Sequence, residues 1–282
     1  MKNNNQLSAW VFLTPGLLFF LVFSAYPILR SIQLSFYNAT VMTQEFIGFK
    51  NYITIFNNQR ILKAFLNTGK FTLLIVPIVT TLPLLIAIIG YRMHKTLQSA
   101  IRFAYYIPVI SAGPIVTMIW MWILHPTGIL NQLIGHEIHW FGSNPEAFFS
   151  VSMILISVDL GMTIIIYMAA MTTIDTELYD AAKLDGCSGI QEDWYITRPL
   201  ITPTVQFIFF IKLVGISQIW LYPYILTGGG PNYGTNTAIL EVYLQAFQYG
   251  KYGFASAIGV IFAVIIGSVA LIQRRFFKRE ND

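Results

Sequence analysis

Six apolar runs, at 10–29, 71–90, 103–124, 151–170, 205–224 and 254–272, occupy most of this chain and decide what it can become. Each approaches the roughly 20 residues that carry a helix across about 30 Å of hydrocarbon. Inside lipid every backbone polar group needs an internal partner, and the runs lack the long alternating strands of a barrel, so they must be helices. The expected fold is therefore all-α, a polytopic integral membrane bundle of six transmembrane helices. Of the 282 residues 55% are hydrophobic and 11% charged, which leaves room for one membrane domain and short connections. Pro77, Pro83, Pro108 and Pro114 fall inside the runs, where each removes a helix hydrogen bond and is expected to kink its rod.

The first run is too long for a signal peptide's apolar core and only Lys2 precedes it as a charge, so it reads as a retained span. A formal net charge of +4, spread between loops, speaks to orientation in the membrane and not to nucleic acid. Arg92, Lys95 and Arg102 join the second and third spans, and Arg274, Arg275, Lys278 and Arg279 follow the last. These cations place their segments, and with an even span number both termini, in the cytoplasm. Lys50, Arg60, Lys63 and Lys70, in the long 31–70 loop, run against that rule. Cys187 is the single cysteine, which excludes an internal disulfide and any CxxC or Cys/His metal spacing. His94, His125, His136 and His139 fall in loops, with no HExxH and no GxSxG, and the i, i+3 pair His136 and His139 lacks a nearby third ligand. Membrane-embedded hydrolysis and zinc chemistry are thereby set aside.

The connection between the fourth and fifth spans, about 171–203, carries Asp175, Glu177, Asp180, Asp185, Glu192 and Asp193 against Lys183 and Arg198. Acid on the side expected to be positive calls for a reason. Asp175 is placed to cap a short helix, Glu177 sits in its first turn where the dipole favours an anion, and Gly186 stops it after Asp185. Leu178, Ala181, Ala182 and Asp185 share one face by spacing, and the two alanines there let a partner surface approach closely. Ser188 and Gln191 form a capping-box pattern that opens a second short helix, expected to end before Pro199. The alternative is an amphipathic hairpin lying on the membrane, although such hairpins are ordinarily basic.

The stretch Glu177-Leu178-Tyr179-Asp180-Ala181-Ala182-Lys183-Leu184-Asp185-Gly186, followed by Ile196-Thr197-Arg198-Pro199, resembles the cytoplasmic EAA loop of ABC-importer permeases. Three positions depart from the pattern: Asp180 stands for the usual Glu, Cys187 for Ala and Asp175 for Pro. Thr14-Pro15-Gly16, Tyr26-Pro27, Leu34-Ser35-Phe36, Phe46 to Tyr52, Asn67-Thr68 and Leu226 to Pro231 extend the likeness over almost the whole chain, in the order of the carbohydrate-type permeases similar to those for maltose and glycerol phosphate. The resemblance implies a type I importer fold with a core at 67–273, preceded by a tail, first helix and outer loop at 1–66 and followed by a basic cytoplasmic tail at 274–282. It implies four kinds of company: a second homologous permease, two cytoplasmic ATPase subunits, an extracellular solute-binding protein and membrane lipid. ATP and magnesium then belong to the ATPase and no cofactor to this chain, and Glu177, Asp180, Ala181, Ala182, Asp185 and Gly186 become the residues that couple to that ATPase.

Asp159 and Lys212 are the ionisable residues clearly inside the runs, and such residues are functional suspects because they are costly in lipid. Counting along helices, Asp159 lies roughly 22 Å from the cytoplasmic end at Ile174 and Lys212 roughly 12 Å above Pro203. Either they pair beside a solute path, or Asp159 faces outer water and Lys212 snorkels or meets a partner. Tyr167, Ser217, Gln218, Trp220 and Tyr222 supply rings, hydroxyls and an amide suited to a saccharide or polyol, and equally to packing between helices. Gly228, Gly229, Gly230 and Pro231 are no phosphate cradle, since no Lys-Ser/Thr follows. They read either as a flexible turn that shapes the surface meeting the binding protein or as an ordinary turn. An ion-coupled secondary carrier is the competing function; inverted repeats would mark one, and none is convincing here.

Overall fold

The structure, a computed structural model, describes residues 2–110 and 113–280. The side chains of Pro108, Arg274, Lys278 and Arg279 lie outside the described residues, so the kink expected at Pro108 and most of the basic tail do too. The chain divides into two compact units, Met1–Leu62 with Glu241–Ile265 and Lys63–Leu240 with Ile266–Asp282.

In the first unit, α1 (Lys2–Phe20) continues through a wide (π) turn at Leu21–Ala25 into α2 (Tyr26–Leu34). The wide turn has a local cause. Pro27 has no N–H to offer the turn before it, and the register slips by one just ahead of it, with the Tyr26 N–H reaching the Leu21 carbonyl. A hairpin of β1 (Tyr37–Ala39) and β2 (Gln44–Phe46) follows, with Tyr37 opposite Phe46, then α3 (Lys50–Phe56). Asn51 on α3 donates to the carbonyls of Ser35 (2.8 Å) and Tyr37 (3.0 Å), which ties the hairpin's start to the helix. Arg60, at the start of α4 (Gln59–Tyr91), pairs with the fully buried Glu241 of α13 (Ala238–Tyr243), and Gln245 donates to the other carboxylate oxygen at 3.3 Å. A buried carboxylate is tolerable only when partnered in this way.

The second unit is organised around α8 (Asn144–Met171), which packs against α5 (Lys95–Ile110), α6 (Gly113–Ile123), α11 (Arg198–Ser217) and α12 (Leu221–Thr227). It begins with Pro145 in its first turn beside Glu146, both favourable there, and it is apolar on every side, buried in part by these helices with Phe149 and Met162 left exposed. Two apolar clusters form the core. One joins Phe71, Ile75, Val79, Val151, Ile154 and Ile216, and the other joins Ala87, Ile164, Tyr167, Met171, Ile201 and Ile208.

Among the described residues five helices are long and apolar enough to cross a membrane: Trp10–Leu34, Gln59–Tyr91, Asn144–Met171, Gly189–Ser217 and Tyr252–Gln273. The third expected span, 103–124, is instead shared between α5 and the shorter α6. Pro114 is the second residue of α6, where a missing N–H costs nothing, so it opens a helix and does not kink one. Pro77 and Pro83 do lie within α4. The fifth run also differs from expectation at both ends. Helix begins far earlier, at α10 (Gly189–Glu192), and passes through a second wide turn at Asp193–Thr197 into α11. The Arg198 N–H reaches back to the Asp193 carbonyl directly before Pro199, the device already seen before Pro27, so Pro199 does not end the helix as its type alone predicts. At the other end α11 stops at Ser217 and α12 starts afresh at Leu221, which leaves Gln218 and Trp220 off the helix. The hydroxyl of Thr237 donates to the Ile219 carbonyl at 2.6 Å and satisfies that unwound stretch.

Candidate functional site

Between α8 and α10 the chain forms α9 (Thr176–Leu184). The Asp175 carboxylate accepts from the Glu177 N–H at 3.0 Å and caps it, with Glu177 in the first turn and Lys183 in the last, as the dipole favours. Gly186 takes a left-handed φ of +76°, and the Cys187 N–H returns to the Ala182 carbonyl at 2.9 Å. Ser188 and Gln191 then close a reciprocal capping box on α10. The result is a two-helix hairpin whose Tyr179 packs against the second apolar cluster. Its exposed surface includes Leu178, Ala181 and Asp185, with Leu184 at 90% and Ile190 at 81% exposure.

Ala182 departs from the sequence expectation. It is buried, at 9%, on the inner side of α9, and only Ala181 of the two alanines is presented outward. Neighbouring positions on a helix differ by about 100°, so a face drawn to include both was too wide by one. Ala182→Leu is accordingly expected to overpack the hairpin's base, at about 1–3 kcal/mol, and to lower the melting temperature of the purified protein. Ala181→Leu is expected to leave it unchanged. Equal melting of the two variants would contradict the assignment of inner and outer faces.

Beneath the hairpin lies a cavity of about 400 Å³ lined by Ile88, Tyr91, Met171, Tyr179, Asp193 and Thr197 among others. Arg92, in the turn that follows α4, reaches across it. Its Nη2 stands 2.6 Å from Asp193 Oδ1 and 3.5 Å from Glu192 Oε2, its Nε donates to Asp193 at 3.1 Å, and the guanidinium also donates to the Gly189 carbonyl. Thr197 Oγ1 donates to Asp193 Oδ1 at 3.5 Å, and the Tyr179 hydroxyl lies 2.9 Å from Thr197 Oγ1. Burial pushes the Tyr179 hydroxyl above its ordinary range, against the opposing pull of the Thr197 hydrogen bond, and keeps it neutral. In sequence Arg92 appears only as one loop cation and Asp193 as one loop acid. The surplus of acid between 175 and 193 is the signal that a cation from elsewhere must meet it.

Within the spans, Lys212 Nζ donates to Asp159 Oδ1 at 2.8 Å, with side-chain exposures of 12% and 28%. The expected mismatch in depth disappears because the helix carrying Lys212 starts below Pro203. From Arg198 to Lys212 the rise is about 21 Å, close to the roughly 18 Å from Met171 back to Asp159. The Thr163 hydroxyl donates to the Asp159 carbonyl at 3.1 Å and forms a polar seam with the pair, and the Tyr167 hydroxyl donates to the Thr80 carbonyl at 3.2 Å. Asp159 Oδ2 is buried without a hydrogen-bond partner. Tyr167 itself is fully buried, and Ser217 is buried with its hydroxyl donating to the Leu213 carbonyl at 2.7 Å and lying 3.1 Å from that of Thr72. Both are packed and hydrogen-bonded inside the protein. Gln218 is exposed, and Trp220 tilts against Tyr224 with ring centroids 6.3 Å apart.

The glycine-rich segment after α12 is a turn closed by hydrogen bonds. Gly228 and Gly229 take positive φ, with their N–H groups on the Tyr224 and Pro223 carbonyls, and Thr235 closes the loop with hydrogen bonds to Gly229 and Gly230. From α4, Lys63 Nζ donates to the Asn232 carbonyl at 2.7 Å, and Asn67 donates to the carbonyls of Tyr233 (2.7 Å) and Asn236 (3.0 Å). Gly229 is buried, while Gly228, Asn232 and Tyr233 remain exposed beside the partly exposed Gly230 and Pro231.

Several membrane-length helices with a capped two-helix hairpin between α8 and α11 define a polytopic helical membrane protein. The model of the family described as "Binding-protein-dependent transport system inner membrane component" matches residues 11–281. The chain belongs to that family. It is a multi-pass membrane transport component and not an enzyme. It is 31% identical, over 100% of both chains, to the probable ABC transporter permease protein YurN of Bacillus subtilis. It is 26% identical, over 98% of this chain and 92% of the other, to the sulfoquinovosyl glycerol transport system permease protein SmoG of Agrobacterium fabrum. Its fold matches, with a TM-score of 0.88 and 24% identity over 98% of this chain and 96% of the other, a chain in the crystal structure of a bacterial ABC transporter involved in the import of alginate.

Proposed function

We propose that this chain is one of two permease subunits of an ATP-driven importer in the plasma membrane, carrying a carbohydrate or related polyhydroxylated solute into the cell. The observation that carries the coupling half of this reading is the α9–α10 hairpin. Its apex exposes Leu184 and Ile190, apolar groups with no place in the chain's own core, beside the acidic Glu177 and Asp185. A surface of that kind fits a socket on another protein, and two cytoplasmic ATPase subunits holding ATP and magnesium are the partners it suits. Both termini then face the cytoplasm with the hairpin, and the opposite end, with Gly228 to Pro231, faces the solute-binding protein. The ATPase drives transport by binding one permease state more tightly than the other.

The solute class rests on relatives named for sugar-bearing solutes and on the chemistry of the seam. Lys212 and the unpartnered Asp159 Oδ2 suit hydroxyl groups, with the Trp220 ring near the end of α11 as a stacking surface. The test is to extract the protein gently through a C-terminal tag and identify co-purifying proteins by mass spectrometry. Vesicles made from the complex are then assayed for uptake of radiolabelled lactose, raffinose and glycerol phosphate, with and without ATP. Recovery of an ATPase and a second permease, with ATP-dependent uptake, is expected. Purification of the chain alone, with uptake independent of ATP, would establish a secondary carrier instead.

A further inference from the structure

The geometry points to Arg92 as the positioning residue that makes the hairpin and the end of α4 move as one body; this rests on the coupling reading of the hairpin. Every group Arg92 meets lies on one short stretch: the Gly189 carbonyl, Glu192 in the first turn of α10, and Asp193 where the wide turn begins. The Arg92 to Asp193 contact uses two guanidinium nitrogens on one carboxylate oxygen, a directional arrangement that a lysine ammonium does not reproduce. Gly189 lies close against the Arg92 guanidinium, whose flexible end a Cβ there would push aside. Asp193 in turn accepts from Thr197, which meets Tyr179 of α9, so both arms of the hairpin are tied to the carboxylate that Arg92 holds. The contacts line the cavity beneath the hairpin, while Leu184 and Ile190 stand exposed. A hairpin tethered only through its own chain would swing when pulled. Held through Arg92, its displacement passes to α4 as well as to α11.

The test uses the complex purified through the tag, with spin labels at Leu85→Cys on α4 and Lys183→Cys on α9 in a Cys187→Ser background. The distance between the labels is measured by pulsed electron resonance without nucleotide and after trapping with ATP, magnesium and vanadate. In the parent the distance is expected to hold within about 2 Å between the two conditions, whereas Arg92→Gln and Asp193→Asn shift it by about 5 Å or broaden it to that extent. The ATPase is expected to stay bound and hydrolyse ATP in both variants. A constant distance in Arg92→Gln or a changing one in the parent would overturn the assignment. Loss of the ATPase from Arg92→Gln would also overturn it, since Arg92 would then shape the docking face. Absence of an ATPase from the parent complex would mark failure of the coupling reading itself.

Discussion

Gly186→Trp is expected to abolish uptake and to reduce recovery of the ATPase with the tagged protein by at least about tenfold, a loss of about 1.4 kcal/mol in association. The position decides the outcome. Gly186 sits between α9 and α10 at a φ of +76°, and a Cβ there would meet nothing within 4 Å. An L residue in this conformation costs about 1–2 kcal/mol, too little to unfold a packed membrane core, so insertion into the membrane is expected to be normal. The indole instead stands off the apex into the space a partner must enter. Gly186→Ala separates the two effects, since it carries the backbone strain without the bulk and is expected to keep most of the bound ATPase. Undiminished uptake by the tryptophan variant would remove the hairpin from the coupling mechanism.

Neutralising one member of the ion pair is expected to be the most damaging single change within the membrane. Asp159→Asn leaves the Lys212 ammonium largely buried without its counter-charge, and breaking such a pair costs about 3–5 kcal/mol. Transport and thermal stability should fall together in this variant and in Lys212→Asp. Exchanging the charges, Asp159→Lys with Lys212→Asp, is expected to recover stability because the helices remain adjacent. If transport returns as well, the pair works as a unit; if stability returns without transport, one charge contacts the solute in a fixed orientation. Parent-like melting of Asp159→Asn would show that the pair contributes nothing to the fold.

Much of this architecture is legible in the order of residue types. Runs of apolar residues locate the long helices, and Asp175, Gly186, Ser188 and Gln191 place the hairpin's caps by local chemistry that needs no tertiary information. What is not legible depends on how the backbone accommodates a proline. Pro199 reads as a helix stop, because residue type does not reveal that a wide turn can move the lost hydrogen bond aside. That one feature also accounts for the difference in depth counted between Asp159 and Lys212, whose pairing the sequence offers as one of two readings and whose depths agree when the helix is followed back to Arg198 and below. Similarly, Gly113-Pro114 marks the division of the third run, but nothing local distinguishes a proline that begins a helix from one that bends it. The inward turn of Ala182, the burial of Tyr167 and Ser217, and the reach of Arg92 across the cavity follow from packing between distant elements. Spacing along a single helix does not encode them.

The wide turn at Asp193–Thr197 has a bearing on how this segment tolerates change in length. One residue added to or removed from a helix rotates everything beyond it by about 100° and shifts it by about 1.5 Å. With Pro199 fixing where the slipped register ends, the angular relation between the hairpin's outer surface and the α11 face that bears Lys212 is set by the residue count between Ser188 and Pro199. Substitutions at exposed Trp194 or Tyr195 preserve that phase, whereas a single insertion or deletion beside them turns the docking face away from its socket even if every helix still forms.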